Sequence, residues 1–138
     1  MTKVSEHAET DGITVEVKSF FVPEHSEPQA GQYFFSYHIR IKNDGESTIQ
    51  LMSRHWIITD GNGRVEEVKG PGVVGQQPRL APGEEFEYES FCPLPTPTGT
   101  MRGSYQCVVL DEKRASRPGR VIEVEIPQFF LVEPSCFH

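Results

Sequence analysis

The sequence predicts an all-β fold, a sandwich of about seven to nine antiparallel strands. Three observations predict it. Apolar and polar residues alternate with a period of two in most ordered segments, which is typical of half-buried strands. Clusters of Gly, Pro, Asn and Asp separate these segments at short intervals. No window shows a sustained 3.6-residue apolar period, and prolines interrupt every candidate helix.

The N-terminal residues 1–11 are polar and aperiodic, so we expect a flexible tail there and a single domain over residues 12–138. The first strand begins at Ile13 and alternates through Val17. Its apolar phase then shifts near Ser19, which indicates a bulge or a change of sheet at that position.

The central strands are bounded by clear turn signals. A loop over residues 23–31 leads into a long alternating strand at 33–42, and the next strand runs from Ile49 to Asp60. The segment Asp60–Gly63 predicts a tight hairpin, because Gly and Asn accept positive φ at little cost. The return strand is expected at 64–68.

Proline and glycine dominate the second half of the chain. Residues 70–83 and 92–99 are expected to be loops, residues 111–120 form a charged loop, and Pro127 is expected to separate the last two strands. The remaining strands are predicted at 86–90, 101–110, 122–126 and 129–132.

One short motif refines the fold class. Tyr105 precedes Cys107 by two residues, as in the corner strand of immunoglobulin-like domains. The partner cysteine of those domains is absent from residues 33–43. We therefore expect an immunoglobulin-like sandwich without its disulfide.

Composition excludes several kinds of partner. A chain of 138 residues is one domain and buries about two-thirds of its surface, enough for a core without disulfide or metal. Its formal charge of −7 repels phosphate backbones and anionic lipid, so neither nucleic acid nor membrane is expected as a partner. Three scattered cysteines and the lack of a long apolar run predict a cytoplasmic protein with free thiols.

The glycine cluster at residues 70–75 matches the pattern G-x-G-x-x-G. A dinucleotide-binding fold is excluded, because Pro78 and Pro82 within the next seven residues prevent a helix of useful length and no strand–helix–strand pattern surrounds the motif. Two interpretations stay open: the glycines let a long connection bend, or their amides form an anion-binding nest with nearby cations. The candidate anion-binding residues are Arg64, Lys69, Gly70, Gly72, Gly75 and Arg79.

No catalytic or metal-binding constellation is recognisable. Ser53 and His55 lie close in sequence, but a turn residue such as Asp60 is poorly placed to orient the histidine. The pair Cys136 and His138 lacks the further ligands of a zinc site. We expect a non-enzyme without cofactor or metal, and we interpret the basic loop within 111–120 as a solubilising surface.

Several longer blocks carry a family resemblance. They are RHWIITDGNGR at 54–64, EVKGPGVVG at 67–75 with Pro78, LAPGEEFEY at 80–88, GTMRGSY at 99–105 and PSCFH at 134–138. Together they resemble the ApaG family (the DUF525-type domain) over roughly residues 13–138. The loop at 111–120 departs from the family pattern, since it looks longer and more basic.

The resemblance implies a fibronectin type III-like sandwich. It also implies a link to cobalt resistance and magnesium efflux, a gene beside that of a diadenosine tetraphosphate hydrolase, and no established enzymatic activity. Similar eukaryotic domains, in F-box proteins and in a DNA-polymerase-interacting protein, look like protein-binding modules. A pyrophosphate-binding proposal for the family corresponds here to Gly70, Gly72 and Gly75.

Two functional hypotheses follow. The first is a non-catalytic domain that binds an unidentified protein, in the context of magnesium and cobalt homeostasis, through an available edge strand. The alternative is a sensor that binds a phosphorylated small molecule, pyrophosphate or a nucleotide such as diadenosine tetraphosphate, at the glycine loop. A homodimer through an edge strand is compatible with either hypothesis.

Overall fold

The computed structural model describes residues 3–110 and 119–137. Over these residues it consists of strands joined by turns and three short 3₁₀ segments. The strands are β1 Lys3–Thr10, β2 Ile13–Phe21, β3 Tyr33–Asn43, β4 Ile49–Asp60, β5 Val65–Pro71, β6 Arg79–Leu80, β7 Glu85–Leu94, β8 Thr98–Val109 and β9 Val121–Val132. No helix among the described residues is long and apolar enough to cross a membrane.

The strands form two antiparallel sheets packed face to face, which confirms the predicted all-β sandwich. One sheet has the order β1-β2-β3-β7; the other has the order β5-β4-β8-β9, with β6 added to β4. The sheets meet along β1 and β9, where the amide of Glu125 donates to Thr10 Oγ1 at 3.2 Å. On the opposite side, β5 and β7 are edge strands of the described sheets, so this side of the sandwich is open.

The core lies between the two inner faces. The predicted alternation of β3 is confirmed, because Phe35, Ile39 and Ile41 are almost completely buried. At the centre the ring of Trp56 contacts Tyr37 of the other sheet, with 5.5 Å between ring centroids. Burial of these large apolar side chains is the main stabilising contribution to such a sandwich.

The N-terminal segment corrects one prediction. Residues 3–10 do not form a flexible tail; they form β1, which pairs along its whole length with β2. The described side chains of β1 are exposed or half-buried. An edge strand held mainly by backbone hydrogen bonds needs no alternating apolar face, so its sequence lacked the periodic signal.

Two predicted interruptions are also wrong. Strand β2 has no bulge near Ser19: this serine continues the buried face, and its hydroxyl donates to the carbonyl of Phe130 at 2.8 Å. Strand β9 runs continuously through Pro127. The register places Pro127 and Gln128 opposite Arg102 alone, and this bulge accommodates the proline without a break.

Two segments differ from the sequence prediction in extent. The expected loop at 92–99 is largely strand, because β7 continues to Leu94 and β8 begins at Thr98. Residues 70–83 contain the end of β5 and the short β6. Most of the basic loop at 111–120 lies outside the described residues.

The predicted corner tyrosine lies at the centre of the core. Tyr105 is fully buried on β8, and its hydroxyl shares a hydrogen bond of 2.5 Å with that of Tyr88 on the other sheet. Cys92 and Cys107 are free thiols, and burial raises the pKa of each to about 12. They are therefore protonated and fill space in the core.

Candidate functional site

The glycine-rich segment forms a compact hairpin beyond the end of β5. The amide of Gly72 donates to the carbonyl of Met52 at 2.8 Å. Val73 and Gln76 exchange two backbone hydrogen bonds, each 2.8 Å long. Between them, Val74 has φ 42° and Gly75 has φ 79°, both positive as in a type I′ turn.

Each glycine of the motif has its own structural reason. A Cβ on Gly72 would lie 2.3 Å from the carbonyl oxygen of Gln76, and its φ of 60° is unfavourable for other residues. A Cβ on Gly70 would lie 3.1 Å from Nη1 of Arg54, whose guanidinium lies against this glycine. Gly75 faces open space and is required only by its positive φ.

Few amides of this loop are left for an anion. Pro71 has no amide hydrogen, and the amides of Gly72, Val73 and Gln76 donate within the protein. In the described structure, the amides of Val74 and Gly75 have no backbone acceptor. An anion nest in this loop would therefore use these two amides at the exposed tip as its donors.

The predicted cations do not converge on the glycines. Arg64 directly precedes β5, and six residue-to-residue steps of about 3.3 Å place it about 20 Å from Gly70. Lys69 is an exposed residue paired with His55 across the β5–β4 ladder. Arg79 is exposed on β6. The structure brings together Gly70, Gly72 and Gly75 but not the three cations.

The cation that does reach the glycine loop is Arg54, which the sequence reasoning missed. Its Nη1 donates to the carbonyl oxygens of Pro71 and Gly72, both at 3.0 Å. A shift of register after Leu51 places Arg54 on the same inner face of β4 as Trp56. The signal in the sequence was an arginine two residues before a core tryptophan, since these positions share a face in a strand.

Arg54 lines a pocket of about 400 Å³ at the open side of the sandwich. We call this the Arg54 pocket; its walls include Tyr37, Arg54, Trp56, Val73, Tyr88 and Ser90. Burial raises the pKa of Tyr37, while the Ser90 hydrogen bond and the Arg54 charge oppose the shift. Burial also raises the pKa of Tyr88. Both phenols are therefore neutral at physiological pH.

The outer face of β4 carries the serine and histidine considered for hydrolysis. The hydroxyl of Ser53 donates to Gln106 Oε1 at 2.7 Å, and His55 Nε2 lies 2.7 Å from Glu67 Oε1. The hydrogen bond and the charge of His55 lower the pKa of Glu67. Asp60 instead accepts amide hydrogen bonds from Asn62 and Arg64 in the hairpin. These residues do not form a catalytic triad.

Metal ligands are also dispersed. Within residues 3–110 and 119–137, no group of three or more His, Cys, Asp or Glu side chains lies close enough to hold an ion. The Cys136 side chain and His138 lie outside the described residues.

Comparison with known proteins identifies the family. A family model described as the ApaG domain matches residues 23–109, which include β3 to β8 and the glycine hairpin. The chain belongs to the ApaG family. The resemblance stated from the sequence blocks is thereby confirmed.

Individual ApaG proteins match along nearly the whole chain. Protein ApaG of Bordetella pertussis is 55% identical over 126 residues, covering 91% of each chain. Protein ApaG of Anaeromyxobacter dehalogenans is 54% identical over 131 residues, covering 95% of this chain and 98% of its own.

Solved structures agree with the fold. A crystal structure assigned to an ApaA protein from Bordetella pertussis matches with a TM-score of 0.81 and 53% identity, covering 95% of this chain and 98% of that one. The C-terminal domain of wzt matches with a TM-score of 0.51 at 9% identity, covering 93% and 77% of the two chains. The latter likeness concerns the fold alone. The described residues of this ApaG-family chain give no catalytic signal.

Proposed function

We propose that this ApaG-family protein is a non-catalytic domain that binds another protein, and that strand β5 is the element through which it does so. One observation carries the proposal: β5 is an edge strand of the described sheet, and none of its residues is buried. A partner strand added there would gain backbone hydrogen bonds and cover both faces of β5.

The backbone of β5 presents a regular row of groups to a partner. The amide of Asp60 donates to the carbonyl of Arg64 at 3.0 Å. In an antiparallel pair, residues that hydrogen-bond the neighbouring strand alternate with residues whose backbone groups point away from it, so every second residue counted from Arg64 bonds β4. The amides and carbonyls that point away from β4 therefore belong to Val65, Glu67 and Lys69. Pro71 continues this outward series, at a position where the lack of an amide hydrogen removes no ladder bond.

The other open edge, β7, is less suited to strand addition. Its outer face carries a row of glutamates, two of which pair with β3: Glu85 with Arg40 at 2.5 Å and Glu87 with His38 at 3.2 Å. A row of like charges is one of the features by which natural edges avoid pairing. The outward-pointing residues of β5, Val65, Glu67 and Lys69, instead have mixed charge.

The link to magnesium and cobalt homeostasis that the family resemblance implies belongs to this proposal. The chain would act in that process through its protein partner, and not as the metal-binding component. In this proposal the open edge of β5 is the functional surface, and protein binding there requires no catalytic side chain.

The test compares Lys69→Pro with Lys69→Ala. Both remove the same charge, but only proline removes the outward amide and places its ring on the edge. Immobilised wild-type protein and both variants are incubated with extract of the source cells, and captured proteins are quantified by mass spectrometry. We expect partners that bind wild type and Lys69→Ala to be lost with Lys69→Pro.

The controls separate folding and self-association from partner binding. Melting temperatures of the two variants should agree within a few degrees, because the replaced amide makes no bond within the sheet. Sedimentation of the purified proteins shows whether β5 pairs with a second copy instead. Equal capture by Lys69→Pro and Lys69→Ala would refute β5 as the binding element.

A further inference from the structure

The Arg54 pocket has a charge pattern that the protein-binding proposal does not use. Among the described residues that line it, Arg54 is the one with a charged side chain. It forms no ion pair with any described carboxylate. A half-buried guanidinium without a counter-charge is partly desolvated, and the two carbonyl hydrogen bonds at Nη1 offset part of that cost.

The guanidinium is held in a fixed orientation. Its Nη1 is fixed by the carbonyls of Pro71 and Gly72, and its plane lies against Gly70. In the described structure, no protein group accepts a hydrogen bond from Nε or Nη2. These two nitrogens form one edge of the guanidinium, the edge that can donate two parallel hydrogen bonds to a carboxylate.

The other walls of the pocket are neutral, and the surface that they expose is more polar than apolar. Trp56, Tyr37 and Val73 are buried behind this surface, and the apolar side chain that is exposed at the rim is that of Val74. Ser90 is half-buried and hydrogen-bonds Tyr37 across the β3–β7 pair. The pocket thus offers one cation, polar hydroxyls and the apolar side chain of Val74 at its rim within about 400 Å³.

We propose that the Arg54 pocket binds a small monocarboxylic acid that carries an apolar group. A single guanidinium edge matches one carboxylate, and the exposed side chain of Val74 at the rim matches the attached group. A polyphosphate fits less well, since there is one cation in the pocket and the chain has a formal charge of −7. The proposal is independent of strand β5 and its partner.

The chain contains its own probe, because Trp56 is its one tryptophan and lines the pocket. We would titrate purified protein with 3-phenylpropionate and hexanoate, following Trp56 fluorescence and its indole N–H signal by NMR. The matched ligand control is 3-phenylpropionamide, which has the same shape without the charge. Inorganic phosphate and pyrophosphate report on binding of other anions.

Three variants locate the site. Arg54→Gln removes the cation, and we expect carboxylate binding to weaken about 10- to 100-fold. Arg102→Gln makes the same change at an exposed arginine on β8 that does not line the pocket, and this variant should bind as wild type does. Ser90→Leu fills the pocket while leaving Arg54 and its bonds to the loop in place, so it should abolish binding even if Arg54→Gln does not fold.

The ligand titrations can either support or overturn binding at the Arg54 pocket. Saturable Trp56 shifts with either carboxylate, lost in Ser90→Leu and much weaker with the amide, would support the pocket. The proposal is overturned if neither carboxylate shifts Trp56 at about 10 mM, a concentration that saturates sites of millimolar affinity. Equal binding of amide and carboxylate would also overturn it, as would stronger binding of phosphate or pyrophosphate.

Discussion

At the scale of single residues, the three motif glycines illustrate how one pattern can have several causes. Gly72 combines a positive φ with a Cβ position 2.3 Å from a backbone oxygen, whereas Gly75 has the positive φ alone. We expect Gly72→Ala to lower the free energy of unfolding by about 2–4 kcal/mol. The matched variant Gly75→Ala should lose about 1 kcal/mol.

Urea unfolding of the two variants measures this difference. Equal losses would show that the contact with Gln76 is relaxed at little cost. The same geometry makes Gly72→Val unsuitable for testing anion binding, because loss of binding would follow from a disturbed hairpin. Arg54 and Ser90 are the better positions for that purpose.

At the scale of elements, β1 shows what alternation cannot predict. Strands such as β3 and β4 can be recognised in the sequence because one face of each is apolar. Their bounds agree closely with those predicted. The face of β1 is polar, and its place beside β2 and β9 is fixed by backbone pairing and by contacts such as Thr10 with Glu125. The local signal for β1 was its turn to β2, because Asp11 and Gly12 have φ of 50° and 85° and connect the two strands as a tight hairpin.

Deletion of residues 1–10 tests the role of β1. We expect the fold to persist while the free energy of unfolding falls by about 1–3 kcal/mol, because β2 loses one row of hydrogen bonds. Hydrogen exchange should show faster exchange of the β2 amides that face β1. A control deletion of residues 1 and 2 should leave both measurements unchanged. Unaltered exchange after the longer deletion would mean that the segment is a tail after all.

At the scale of the whole molecule, the sandwich has one core shared by both sheets. Trp56 on β4 contacts Tyr37 on β3 and Phe129 on β9, with ring centroids 5.5 and 5.9 Å apart. We therefore expect a single cooperative unfolding transition. Trp56 fluorescence and far-ultraviolet circular dichroism should give the same urea midpoint. Earlier exposure of Trp56 would show that the sheets separate before they unfold.

The fold class followed from local periodicity, but the candidate site depends on tertiary geometry. Arg64 looked close to the glycines because they are near in sequence, yet a strand runs straight and carries its two ends apart. Arg54 looked distant, yet antiparallel pairing places it opposite Gly70. Sequence spacing predicts neighbours along a strand and misses those across a ladder.

The hairpin tip has a consequence for how this protein balances stability against surface chemistry. Val74 is a branched residue at φ 42° where type I′ turns favour Asn or Gly, and its side chain is 51% exposed. Selection for thermodynamic stability alone would replace it, since such strain costs about 1–2 kcal/mol. Val74 lies at the rim of the Arg54 pocket, so Val74→Asn is expected to raise the free energy of unfolding by about 1 kcal/mol while removing the apolar side chain from that rim.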